Sequence, residues 1–240
     1  MVYDPSLAMT FKNSQGDVEI YIPENYEVLV KCSGGADSSI LLYMLAKYRH
    51  ECNPTVKFTI ATSVNEYKPY QYIHAKKVAD YVNSIYPMGD YKHVQGTNRG
   101  REYYIEDQEK LVWPLMEDYI DKHYMGVTCN PPVDVMKENN MYFKYHNARV
   151  LNRDLDSPDI APVGENKISE NNYKWNRPFA RHDKRGVAEF YFRLGMLETL
   201  YPLTRSCEDE VTDFSKHCGH CWFCLERKWG YGELDPPVIV

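Results

Sequence analysis

The chain has 240 residues, 43% of them hydrophobic and 26% charged, the balance of an ordinary globular protein with room for one sizeable core. No apolar run reaches the ~18 residues that span a bilayer, and residues 1–12 lack the basic start and apolar stretch of a signal peptide, so a cytoplasmic protein with no membrane partner is expected. A net charge of −6 excludes any general electrostatic attraction to nucleic acid.

Residues 9–12 and 17–22 alternate in polarity around Asn13-Ser14-Gln15-Gly16, the pattern of a short hairpin. Glu27-Val28-Leu29-Val30-Lys31 reads as a buried strand, followed by a glycine turn and by a helix over 38–48 that is apolar on most faces. A second strand is expected over 56–61. An amphipathic helix follows over 70–85, with Ile73, Val78, Val82 and Ile85 apolar, and a third strand over 91–95. Residues 101–124 read as mostly helical, kinked at Pro114, and 125–129 as a fourth strand. Residues 130–176 are rich in Asn, Pro and Asp and interrupt the alternation as a long insertion. A last helix is expected over 184–200, with Val187, Phe190, Tyr191, Leu194 and Leu197 on one face. Such alternation predicts an α/β fold with a doubly wound, mostly parallel sheet. Ligands of such sheets lie beyond the carboxyl ends of the strands, where the glycine turn and the stretches 62–66 and 129–132 fall.

The turn Ser33-Gly34-Gly35-Ala36-Asp37-Ser38-Ser39 carries the first chemical signal. Two glycines let backbone approach a ligand closely. The first-turn amides of the following helix lack intrahelical partners, and the helix dipole adds partial positive charge, which together suit a phosphate. The three serines offer hydroxyl donors, and Asp37 suits a Mg²⁺ ion that phosphate also binds. The string is neither a Walker loop, which needs a Lys after its second glycine, nor G-x-G-x-x-G.

The second signal is Cys207, Cys218, Cys221 and Cys224, a C-x10-C-x2-C-x2-C pattern in a chain of seven cysteines. Clustered thiols in a reducing compartment point to metal rather than disulfides. Four thiolates with no open position describe a structural Zn²⁺ site, and an iron–sulfur cluster is the alternative. His217 and His220 flank the cluster as outer groups. Cys32 reads as a packed residue and Cys129, at a strand end near the glycine turn, as a packed residue or a substrate contact, each rather than a catalytic thiol, and Cys52 as a packing or surface residue.

Placed between strand and helix, Ser33 to Ser38 resembles the PP-loop of the ATP pyrophosphatase superfamily. With the cysteine tail, the chain resembles 7-cyano-7-deazaguanine synthase. Thr204-Arg205-Ser206-Cys207 matches that family's T-x-S-C, Cys218-Gly219-His220-Cys221-Trp222-Phe223-Cys224 its C-G-x-C-x-x-C, and Arg227 falls where it carries an arginine. Pro178-Phe179 and Asp183-Lys184 resemble its Pro and Lys segment. The resemblance implies an adenine-nucleotide α-hydrolase-like single domain over 1–240, with an N-terminal hairpin at 1–26, the insertion at 130–176 and a zinc-binding segment at 204–228. It implies ATP bound by Ser33, Gly34, Gly35, Ala36, Asp37, Ser38, Ser39 and Thr62, catalytic roles for Asp37 and Lys184, and Mg²⁺ and Zn²⁺ as cofactors. The implied partners are a deazaguanine carboxylate and ammonia, in a family that often forms homodimers. The reaction would be adenylylation of that carboxylate, then conversion to amide and nitrile, a step in queuosine biosynthesis. Two segments depart from the family. Thr62-Ser63-Val64-Asn65 stands for its Asp-Tyr-Gly-Gln, and Thr128-Cys129-Asn130-Pro131-Pro132-Val133-Asp134 for its Asp-Tyr-Ser-Gly-Tyr-Pro-Asp-Cys-Arg-like stretch, which leaves the acceptor open. The competing readings are a PP-loop thiolase acting on tRNA, which wants a catalytic cysteine pair and a basic face, and a nucleotide-binding sensor without turnover.

Overall fold

A computed structural model describes residues 5–65, 70–98, 120–141, 153, 167–168, 174–207 and 217–232. Five strands carry the centre of the molecule in the order β5-β4-β3-β6-β8, all parallel, with β7 antiparallel on the outer edge of β8. They run over Glu27–Lys31 (β3), Lys57–Asn65 (β4), Lys92–Asn98 (β5), Lys122–Met125 (β6), Lys167–Ile168 (β7) and Lys174–Asn176 (β8). The expected mostly parallel α/β sheet is what forms. A separate antiparallel hairpin, β1 (Met9–Phe11) and β2 (Val18–Ile20), pairs Met9 with Ile20 and Phe11 with Val18.

β3 is central because nothing in its middle is polar. Val28, Leu29 and Val30 are fully buried, as a strand covered on both faces requires. Helix α1 (Ala36–Glu51) leaves β3 through the glycine turn and is buried nearly all round, with Ile40, Leu41, Leu42, Met44 and Leu45 inaccessible. Helix α2 (Tyr70–Ile85) keeps the predicted bounds, but its inner stripe is Tyr70, His74, Val78 and Val82 at four-residue steps. Ile73 lies off that stripe and Ile85 is its last residue, so both are exposed, a correction to the apolar face expected.

Three further boundaries move, each for a local reason. β4 continues to Asn65 because β5 pairs with it through Asn98, so Thr62 lies within a strand rather than after one. β6 ends at Met125 because Gly126 presses on the start of α1, where an added Cβ would sit 2.7 Å from the Ser38 amide nitrogen. Helix α4 (Lys184–Arg193) stops short of residue 200 because Gly195 takes a left-handed φ of +69° just beyond its C-cap, Leu194. Two helices were not anticipated, α3 (Val133–Glu138) and α5 (Trp222–Tyr231). The expected helix at 101–124 lies outside the described residues except for its last five positions, where β6 begins, and most of the insertion at 130–176 lies outside them too.

Chain order runs β3-β4-β5 to one side of β3, and β6 and β8 lie on the other. The reversal falls between β3 and β6, and open parallel sheets bind ligands in the crevice at that point. The hairpin lies apart from that sheet and clamps the start of α4. Asp183 caps the helix by accepting from the Arg185 and Gly186 amides, at 2.8 and 3.1 Å. Gln15 Nε2 donates to Asp183 at 2.8 Å, and Asn13 Nδ2 donates to the Gly186 carbonyl at 2.8 Å. No helix among the described residues is long and apolar enough to cross a membrane.

Burial holds the imidazoles of His74, His93 and His182 below their usual pKa, and that of His123 on β6 well below it. The unfolded chain takes up protons near pH 6.5 where the fold resists them, so their contribution is complete above about pH 6.5 and is lost as pH falls below it. The urea midpoint should stay flat above about pH 7 and drop steadily below about pH 6.5; an unchanged midpoint at about pH 5 would contradict this assignment.

Candidate functional site

The glycine turn sits at the carboxyl end of β3, facing the switch between β3 and β6. Gly34 takes a φ of +75°, and an added Cβ would lie 2.7 Å from the Ala75 amide nitrogen and 2.8 Å from the His74 Cβ, so only glycine lets the turn pack on α2. Gly35 is the N-cap of α1, and no side chain among the described residues caps that helix end. The first-turn amides of Ala36, Asp37 and Ser38 are therefore the ones an anion would meet.

The serines shape the turn. Ser38 Oγ accepts from the Ser33 amide at 3.1 Å and donates to the Gly35 carbonyl at 3.2 Å. Ser39 Oγ donates to that same carbonyl at 2.7 Å. Both are buried; Ser33 is exposed, and its Oγ also accepts from the Gly35 amide at 3.3 Å, so all three hydroxyls expected as ligand donors take part in fixing the loop. Ala36 is buried, and its carbonyl accepts from Tyr191 Oη on α4 at 2.8 Å. Thr62 is fully buried; its hydroxyl donates to the Cys32 carbonyl at 2.8 Å and meets His93 Nε2 at 2.8 Å. Thr62 thus braces the floor beneath the loop.

Asp37 and Lys184, predicted separately, meet as an ion pair, Lys184 Nζ on Asp37 Oδ2. The pair continues inward. Lys184 Nζ lies 3.7 Å from Glu226 Oε2, and Glu226 Oε1 accepts from Arg153 Nη2 at 2.5 Å. Arg153 also donates to the Thr128 carbonyl at 2.7 Å and to the Cys129 carbonyl at 3.1 Å, tying the loop after β6 into the same chain. Glu226 is fully buried and Lys184 nearly so. Neither Glu226 nor Arg153 was foreseen. A lone Glu inside an unrecognised helix and a lone Arg inside an irregular stretch carry no local pattern.

The four cysteine sulfurs of the C-terminal segment lie within 4.8 Å of one another, a set able to hold a metal ion. Gly219, at φ +75°, makes the turn between Cys218 and Cys221, and Cys221 is the N-cap of α5. The Cys221 amide donates to Cys218 Sγ at 3.2 Å. So many thiols side by side cannot all ionise unaided. Hydrogen bonds from Cys221 and Cys224 hold Cys207 low, and the same contacts push Cys224 up. His217 lies beside the set, with Nδ1 3.7 Å from Cys224 Sγ, while His220 is exposed and turns to the Cys218 carbonyl at 2.8 Å. Burial pushes the other thiols upward, Cys32 to about 11 and Cys129 to about 12.

The loop and the cysteine set are joined by the segment 204–207. The Arg205 amide donates to the Gly34 carbonyl at 2.8 Å, and the Arg205 guanidinium lies over the Tyr70 ring at 4.5 Å. Tyr70 Oη donates to the Cys207 carbonyl at 3.0 Å. Arg227 on α5, fully buried, donates to Tyr201 Oη at 2.9 Å, Ser206 Oγ at 2.7 Å and Thr204 Oγ1 at 2.8 Å. One planar fork thus gathers residues 201–206. Arg227→Ala should destabilise the protein by about 3 kcal/mol, through stranded buried hydroxyls and lost packing on two tyrosines. Chemical denaturation measures this, and a loss within about 0.5 kcal/mol, typical of a surface change, would contradict it.

No family model matches the chain, and no curated protein matches its sequence. Among solved structures it is similar to the U34-tRNA thiolase NcsA from Methanococcus maripaludis with its [4Fe-4S] cluster. That similarity stands at 17% identity over 88% of this chain and 72% of that one, with a TM-score of 0.48.

Proposed function

We propose that the protein is an ATP-dependent enzyme that adenylylates a carboxylate and passes the acyl group to ammonia. The observation that carries this reading is the uncapped N-terminus of α1, entered through a glycine turn at the switch point, with the Asp37–Lys184 pair beside it. Those amides and that cation suit a polyphosphate. A carboxylate is a poor electrophile because its charge is delocalised and hydroxide leaves badly. Attack of its oxygen on the α-phosphorus of ATP forms an acyl–phosphate bond and expels pyrophosphate, whose growing charge the loop amides and Lys184 would neutralise. Ammonia then displaces AMP to give the amide, and a second activation of the amide oxygen followed by loss of AMP gives the nitrile.

The acceptor favoured by the sequence resemblance is 7-carboxy-7-deazaguanine, with the corresponding amide or nitrile as product. The altered segments at 62–65 and 128–134 are where a different acceptor would be selected. A sulfur-transferring role finds less support, because Cys32 and Cys129, which lie outside the four-cysteine set, are buried and held protonated.

Cys207, Cys218, Cys221 and Cys224 would hold Zn²⁺. With Zn–S near 2.3 Å, a tetrahedron sets its sulfurs about 3.8 Å apart. The 3.8 Å between Cys218 and Cys224, and the 4.8 Å bound on the whole set, fit one shared ion better than a cluster in which each thiolate takes its own iron. Bound there, the ion would supply folding energy to the segment 204–228 and no chemistry. A cytoplasmic, single-domain enzyme, with homodimer formation as in the family it resembles, completes the reading.

Incubation with ATP, Mg²⁺, ammonium and 7-carboxy-7-deazaguanine should yield AMP, pyrophosphate and a product of amide or nitrile mass. Absence of AMP with every carboxylate tried would instead favour a nucleotide sensor. Asp37→Asn should lower AMP formation at least a hundredfold, the scale of one lost electrostatic group in an active site, with metal content unchanged. Wild-type turnover in that variant would remove Asp37 from the mechanism. Elemental analysis should find about one zinc per chain; iron with visible absorption would replace that assignment with a cluster.

A further inference from the structure

Asp37 has two roles that conflict in the geometry. A carboxylate that is to hold a divalent cation is already neutralised by a buried lysine. Its other oxygen, Oδ1, is buried with no hydrogen-bond partner among the described residues. Deeper in, Glu226 shows the complementary arrangement. It is fully buried, and Oε1 is held by Arg153 at 2.5 Å. Oε2, with no hydrogen bond among the described residues, stands 3.7 Å from Lys184 Nζ. A carboxylate at zero exposure needs its charge matched closely, and one of its two cations is a stretched contact away.

We propose that Lys184 is a transferable counterion, and that Glu226 is the positioning residue that receives it when a nucleotide-borne divalent cation takes Asp37. This rests on the reading of the loop as an ATP site. The main chain of Lys184 cannot shift to allow the exchange. Asp183 caps its helix, and Gly230 packs so closely that an added Cβ would lie 2.4 Å from the Lys184 Cβ. The ammonium at the end of a four-carbon stem can shift, and it has rotatable donors that a guanidinium lacks. Closing 3.7 Å to a charge-assisted hydrogen bond of about 2.8 Å needs a movement of about 1 Å. The lysine stays charged and paired throughout, so the exchange avoids stranding a buried ammonium. Arg153 orients Glu226, and through the Thr128 and Cys129 carbonyls it holds the loop after β6 at the same time. The exchange would thus make Asp37 available to the cation only when the inner carboxylate is in place.

The probe is α,β-methylene-ATP, which cannot release pyrophosphate, titrated with and without Mg²⁺ by calorimetry. Glu226→Gln keeps the hydrogen bond to Arg153 and removes the charge. It should raise the Mg²⁺ needed for half-maximal nucleotide binding about tenfold, the scale of one charge-assisted contact, with Mg²⁺-free binding unchanged. Glu226→Asp should restore most of the wild-type Mg²⁺ dependence, which a merely structural role would not require. Identical Mg²⁺ dependence in Glu226→Gln and wild type would overturn the proposal, as would equal weakening with and without Mg²⁺. Should Glu226→Gln fail to fold, a crystal structure of the wild-type protein with Mg²⁺ and the same nucleotide decides. Lys184 on Glu226 supports the exchange, and Lys184 still on Asp37 overturns it. A wild-type protein that binds no nucleotide would remove the ATP reading itself and the exchange with it, whereas nucleotide binding without the exchange leaves that reading intact.

Discussion

The main-chain hydrogen bond from the Arg205 amide to the Gly34 carbonyl, at 2.8 Å, ties the glycine turn to the segment that ends in Cys207. Gly34 must take a left-handed φ for its carbonyl to point that way, and the lack of a Cβ is what lets α2 close over it. Arg205 must be held in an extended stretch, and Arg227 does so by donating to Thr204 and Ser206 on either side. Because Cys207 ends that stretch, the position of one metal-ligating sulfur and the position of the glycine turn are set by the same few contacts. The cysteine set and the glycine turn are therefore coupled through main chain and Arg227.

The charged interior is bound together in a similar way. Asp37, Lys184, Glu226 and Arg153 alternate in sign and come from α1, α4, α5 and the stretch beyond α3. Each charge is buried enough to require its neighbour, so no one of the four elements can settle without the others. The hairpin at the start of the chain belongs to this arrangement too. By holding the Asp183 cap of α4 through Gln15 and Gly186 through Asn13, it fixes the residue that carries the lysine ammonium.

The regular part of the fold was legible because its signals are local. The apolar run of β3, the bounds of α2 and the glycine turn between β3 and α1 each follow from neighbours in sequence, and the parallel sheet from their alternation. Element ends were misjudged where a tertiary contact set them. Thr62 is in a strand because β5 extends alongside it, and β6 stops because Gly126 meets α1. Only at Gly195, which ends α4, was the stop signal itself present in the sequence. Helix α5 escaped because its cysteines drew the pattern, although Cys221 as N-cap and Gly232 beyond its end bound it cleanly.

By itself the sequence determined the glycine turn, the four-thiol set and the alternation of strand and helix, since each depends on residues close together in the chain. Only the tertiary structure decided how they act on one another. It turned Ser38 and Ser39 to the loop carbonyl, sealed Thr62 beneath the loop, and paired Asp37 with Lys184 across 147 residues of chain. The reason is physical. A buried charge or hydroxyl must find a partner wherever the fold places one, and that partner is chosen by packing rather than by spacing.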